Sequence, residues 1–327
     1  MRVSLLLSPE NNQALLQSQE HHRLVLVSCM NSSLRTAIDI FIAREKLPAS
    51  YRKTVEQWFL PLAHTILHQV TRSRRTLIVG ISGSQGCGKS TLAALLVLML
   101  RELMGLRATN LAIDDFYHTH ATRQQLARTV HPLLATRGVP GTHDVALAMQ
   151  TLTALMQPGE VLVPRFDKVM DDRMPQSEWH HLLAPLDVIV LEGWCLAIPA
   201  QSEAKLLLPV NMLESQEDCD GRWRQYVNSQ IKLDYAAFYA LVDYLVMLKA
   251  PGFDKVYEWR QNQEARLAEK VMGGASTGTK LMDRQQLQRF IQHYERLTRH
   301  GLEVLPAIAD VVFELTDEQT IAGKLKG

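Results

Sequence analysis

The chain has 327 residues, 46% of them hydrophobic, which can fill a sizeable core without disulfide staples. Its 35 Lys and Arg stand against 34 Asp and Glu, so there is no broad basic field of the kind that nucleic acid or an anionic membrane surface selects. Cys29, Cys87, Cys195 and Cys219 form no CxxC pair or zinc spacing, the apolar run in residues 1–13 is short for a secretory leader, and nothing approaches the ~18 apolar residues of a spanning helix, so the sequence reads as a cytoplasmic protein with free thiols.

Ser32 and Ser33 are placed to cap a helix over 34–45. From Tyr51 onward, Val55, Trp58, Phe59, Leu62, Ile66 and Val70 recur at three- and four-residue spacing, the stripe of an amphipathic helix with Pro61 as its kink. Residues 1–75 carry no chemical motif. The expectation is a helical extension over 1–75, packed on a main domain over 76–327.

The pattern then changes. Leu77 to Ile81 is a short apolar strand, residues 90–103 read as a helix, and Leu111 to Ile113 is a second strand ending in Asp114-Asp115. A helix over 144–156 follows. Strands are expected at 187–191, 244–248 and 310–315, and Gly273 to Gly278 is a small-residue stretch between two charged helical patterns. Strands alternating with helices imply an α/β fold with a doubly wound parallel sheet of about five strands.

Gly83-Ser84-Gln85-Gly86-Cys87-Gly88-Lys89-Ser90 fits GxxxxGK[ST], and it follows a strand and opens a helix. Glycines let the backbone curl so that its N–H groups face phosphate oxygens, and the helix N-terminus adds partial positive charge. This is the phosphate loop of a nucleoside triphosphate hydrolase fold, extended by Thr91. Lys89 would reach the β and γ phosphates of ATP, and the Ser90 hydroxyl would bind Mg²⁺. Cys87 reads as a small residue tolerated in the loop.

Ligands of an open α/β sheet sit beyond the carboxyl ends of its strands. Asp114, as the first residue past the second strand, is the expected base for the acceptor hydroxyl, with Asp115 beside it. Glu192, at the end of the third strand and next to Gly193, is the expected acidic partner of the metal.

Taken in order, the phosphate loop, LAIDDFY (Leu111 to Tyr117), HPLLATRGVPGTHD (His131 to Asp144), PRFDK (Pro164 to Lys168), LEGW (Leu191 to Trp194) and YEWR (Tyr257 to Arg260) resemble the P-loop kinases related to uridine kinase, pantothenate kinase and phosphoribulokinase. Within them the chain is most similar to D-glycerate 3-kinases of the plant and fungal type. The resemblance implies that Asp114 is the catalytic aspartate and that Arg260 lies in the region supplying arginines to the transferring phosphate. It places Asp115, Tyr117, His143, Asp144, Phe166, Asp167 and Lys168 on the acceptor side, with Phe166 where related kinases often carry Tyr. Glycerate carries a carboxylate and so needs a cation; Arg137, Arg165, Lys168 and Arg173 are the basic residues on these loops. Aromatic residues able to stack on a base are few. A kinase for pantothenate, a nucleoside or a sugar phosphate is the alternative within the fold, and a nucleotide-driven switch or assembly ATPase the alternative outside it.

Overall fold

Uninterrupted apolar runs belong in strands covered on both faces, and the centre of the chain is made of them. The computed structural model describes residues 32–272 and 282–327; the apolar run in residues 1–13, Cys29 and the 273–278 stretch lie outside the described residues. β1 (Leu77–Gly83) and β2 (Ala108–Ala112) are followed by β3 (Gly159–Val163), β4 (Phe166–Asp167), β5 (Asp172–Arg173) and β6 (His180–Ala184), which form two nested antiparallel hairpins. β7 (Val188–Gly193), β8 (Tyr244–Lys249), β9 (Val311–Leu315) and β10 (Ile321–Lys326) complete the set. The main sheet has six strands in the order β10-β9-β8-β1-β7-β2, parallel except for β10.

The sheet of about five strands that the sequence implies has six, the sixth being β10. β10 reads IAGKLK and is largely exposed, an edge strand carrying two lysines that offers no apolar run to find. One correction concerns β2, which ends at Ala112. Ile113 already belongs to a 3₁₀ turn, Ile113–Phe116, so Asp114 sits inside that turn and not directly after the strand.

Alternate residues of the central strands enter two apolar clusters, as a period of two requires. Val79, Ile81, Val188 and Val190 face one with the helix Lys89–Met104; Ile78, Ile189 and Leu191 face the other with the helix Val145–Leu155. The N-terminal helices join the first cluster. Leu34, Ile38 and Phe41 of Ser32–Arg44 are buried there, and Trp58 and Phe59 meet Phe313 of β9 edge-on with ring centroids 6.1 and 5.9 Å apart. Pro61 falls at the start of the helix Leu60–Ser73, directly after a π turn, Val55–Phe59. The Leu60 N–H donates to the Val55 carbonyl to close that turn, and Pro61 stands in the first turn of the next helix, where its missing N–H is tolerated.

Candidate active site

β1 is buried along its whole length and delivers the chain into the phosphate loop. Gly86 has φ +77°, and a Cβ there would lie 3.0 Å from the Trp259 side chain, so the loop needs a left-handed residue without bulk. Lys89 opens the following helix; its stem is buried and its Nζ donates to the Ser84 carbonyl at 2.8 Å. The Ser84 hydroxyl is buried with no hydrogen-bond partner, the kind of orphan a phosphate oxygen would satisfy. The Cys87 thiol is buried and pushed up by that burial, which makes it inert. The loop is braced from the far end of the chain: Gln319 Nε2 donates to the Gly86 carbonyl at 3.0 Å, and Trp259 Nε1 to the Asp317 carbonyl at 2.8 Å.

Strand register places the acids. Ile81 of β1 and Ala112 of β2 both pair with Glu192 of β7, so the phosphate loop, Glu192 and the turn holding Asp114 leave one edge of the sheet from adjacent strands. Glu192 Oε1 accepts from the Ser90 hydroxyl at 2.5 Å. A hydroxyl and a carboxylate meeting at the mouth of a phosphate loop form a hard-oxygen donor pair suited to Mg²⁺.

Asp114 is held by two neighbours: Tyr117 Oη donates to Oδ1 at 3.1 Å and Lys168 Nζ to Oδ2 at 2.7 Å. Burial pushes the Asp114 carboxyl up, but the charge and hydrogen bond of Lys168 prevail and hold it below the usual carboxylate range. Asp115 goes the other way. Burial, with the charge of Asp114 adding, pushes it up to about 6 against the Phe166 amide and the charge of Lys168. Two adjacent carboxyls with divergent affinities for the proton are a frequent mark of divided acid–base roles.

The loops carrying His143, Asp144 and Phe166 are tied to this turn. His118 N donates to the Thr142 carbonyl at 2.9 Å and Asp144 N to the Phe116 carbonyl at 2.7 Å, and the His143 and Tyr117 rings stack at 4.4 Å. Asp144 caps the helix Val145–Leu155 through the Leu147 amide and accepts from Arg173 at 3.1 Å; Arg173 also reaches the Tyr117 carbonyl. Asp167 caps the β4–β5 tip by accepting from the Val169 and Met170 amides. Phe166 meets Tyr117 edge-on, and the Arg123 and Arg137 guanidiniums lie 5.7 and 5.5 Å from its ring centroid. Arg137 is paired with Asp171. Burial, with the charge of Arg165 adding, lowers the proton affinity of His180.

The structure therefore gathers Ser90, Glu192, Asp114, Asp115, Tyr117, His143 and Lys168 about one strand-end edge, while Asp144, Asp167, Arg137 and Arg173 also hold the loops in shape. Arg260 lies over the Phe290 ring at 5.8 Å. Sequence reasoning missed Gln319, Tyr235 and Tyr294. Tyr294 Oη donates to the Arg137 carbonyl, and Tyr235 Oη lies 2.6 Å from His143 Nδ1. All three come from segments without a motif: Tyr235 from a π turn, Tyr294 from the helix Arg284–Ile308 and Gln319 from the turn between β9 and β10.

A phosphate loop on an α/β sheet, with acids at neighbouring strand ends, defines a nucleotide-dependent phosphotransferase. The Phosphoribulokinase / Uridine kinase family model matches residues 78–200. An uncharacterized kinase, mug58, of Schizosaccharomyces pombe is 31% identical over 229 residues, 67% of this chain and 79% of that protein. The chloroplastic D-glycerate 3-kinase of Arabidopsis thaliana is 31% identical over 211 residues, 61% of this chain and 43% of that one. A solved D-glycerate 3-kinase from Cryptococcus neoformans superposes with a TM-score of 0.65 at 25% identity, covering 82% of this chain and 99% of its own. The chain belongs to the phosphoribulokinase/uridine kinase family and is an ATP-dependent small-molecule kinase. No helix among the described residues is long and apolar enough to cross a membrane.

Proposed function

We propose that this kinase phosphorylates a terminal hydroxyl of D-glycerate, giving 3-phosphoglycerate. The observation that carries the reading is the Lys168–Asp114 pair at 2.7 Å, beside the phosphate loop. A carboxylate on the acceptor would draw Lys168 away from Asp114, and Asp114 would regain basicity as the acceptor hydroxyl arrives next to it. Tyr117 would keep the carboxylate of Asp114 oriented through Oδ1. Lys89 would leave the Ser84 carbonyl for the β and γ phosphate oxygens and neutralise charge that develops there. Ser90 and Glu192 would hold Mg²⁺, which supplies electrophilic charge to the phosphates when bound. Arg260 would add positive charge from the rim.

The aromatic rings favour the same reading over a nucleoside acceptor. Tyr117 is stacked on His143 and Phe166 is engaged by two guanidiniums, so these rings are already occupied where a base would need a stacking partner. An acceptor panel tests the proposal: ADP release is followed with D-glycerate, uridine, pantothenate, ribulose 5-phosphate and no acceptor. Stimulation by glycerate supports it; stimulation by another acceptor alone moves the chain to another branch of the family.

A further inference from the structure

Tyr235 closes a π turn, Ile231–Tyr235, and its side chain is fully buried. Such turns insert one extra residue into a helix and recur at functional sites. The phenol oxygen stands 3.1 Å from the Gly141 amide nitrogen and 2.6 Å from His143 Nδ1. An amide can only donate, so the phenol accepts from Gly141. Its own proton then goes to His143 Nδ1, which must carry a lone pair. The opposite assignment would leave the phenol proton without an acceptor among the described residues. Burial pushes His143 down to about 3, so the ring is neutral and its one proton rests on Nε2. That Nε2–H is buried and has no hydrogen-bond partner. An unmade buried donor is costly, so it marks a place for an incoming oxygen.

The frame around this donor is tight. Gly141 has φ +94°, and a Cβ there would come within 2.6 Å of the Tyr226 ring. His143 is zipped to the segment that carries Asp114 by an isolated β-bridge with Tyr117 and by the stacked rings. Base and donor therefore share one rigid unit.

We infer that Tyr235 is a positioning residue: through Gly141 and His143 Nδ1 it fixes His143 as an Nε2–H donor that grips an oxygen of the acceptor. The inference rests on the phosphotransfer reading above, though not on which acceptor is phosphorylated. A histidine free to change tautomer would present a lone pair part of the time and repel that oxygen.

The test combines kinetics with nitrogen NMR of ¹⁵N-histidine-labelled protein, using the panel acceptor that the parent phosphorylates. The parent should show His143 with a protonated Nε2 and a bare Nδ1. Tyr235→Phe should raise the acceptor KM roughly five- to tenfold, leave the ATP KM within twofold, and mix the two tautomers. His143→Gln keeps a donor near the Nε2 position without needing the phenol, so adding Tyr235→Phe to it should change the acceptor KM little. An acceptor KM unchanged in Tyr235→Phe overturns the inference, as does a protonated Nδ1 in the parent. If Tyr235→Phe does not fold, the parent's tautomer decides alone. A parent that phosphorylates no acceptor would instead sink the kinase reading on which the inference stands.

Discussion

Replacing Lys168 by Met separates its role from the fold. Lys168 Nζ meets Asp114 Oδ2 at 2.7 Å, yet 61% of the lysine side chain is exposed. An ion pair so open to solvent contributes only about 0–1 kcal/mol to stability, so the melting temperature should fall by no more than about 2–4 °C. Catalysis should respond far more. With the cation gone, burial dominates at Asp114 and its affinity for the proton rises. The acid limb of kcat/KM, which reports the free enzyme, should therefore move to higher pH. Loss of a charge-assisted contact worth about 1.5–3 kcal/mol should also raise the KM for a carboxylate acceptor roughly 10–150-fold, with the ATP KM near that of the parent. The assay is coupled ADP release from pH 5 to 9 at varied acceptor and fixed saturating Mg·ATP. An unmoved acid limb together with an unchanged acceptor KM would refute the reasoning.

Asp114→Asn keeps shape but not basicity, and should lower kcat by about 10²–10⁴-fold with little change in the ATP KM; a loss smaller than that of Asp115→Asn would transfer the role to Asp115. Asp115 is held up near pH 6, so between its ordinary 3.8 and that value the folded state keeps a proton that the unfolded chain has lost. Its contribution to stability is thus present at low pH and lost as pH rises through about 6; relative to the parent, Asp115→Asn should gain stability from pH 5 to 8 in urea unfolding, and a constant difference across that range would contradict this. Ile38→Ala removes a side chain that is 1% exposed under the helix Lys89–Met104 and should cost about 2–5 kcal/mol in the same assay; a loss below 1 kcal/mol would mean that the N-terminal helix is not part of the cooperative core.

The legible parts of the protein were those where local chemistry admits one solution. A glycine-rich turn between an apolar strand and a helix has few other uses, and strands as apolar as Val188–Leu191 can only lie in a sheet covered on both faces. β10 was not legible because an edge strand buries little and its lysines mask the pattern. Asp114 and Asp115 could be placed at a strand end, but not their opposed proton affinities. Those depend on Lys168 arriving from 54 residues away and on how deeply each carboxyl is buried. Arg137 and Arg173 looked like anion binders from sequence; the fold also gives them Asp171 and Asp144, partners that only the hairpin geometry brings near. Tyr235 had no signal at all, since its position depends on a π turn that periodicity does not encode.

The most direct test is to identify the phosphorylated product. Purified protein with Mg·ATP and D-glycerate should form ADP and one phosphomonoester in equal amounts. Mass spectrometry and phosphorus NMR should place the phosphate on the terminal hydroxyl of glycerate. Orthophosphate released at the same rate with and without glycerate, with the glycerate recovered unchanged, would contradict the account.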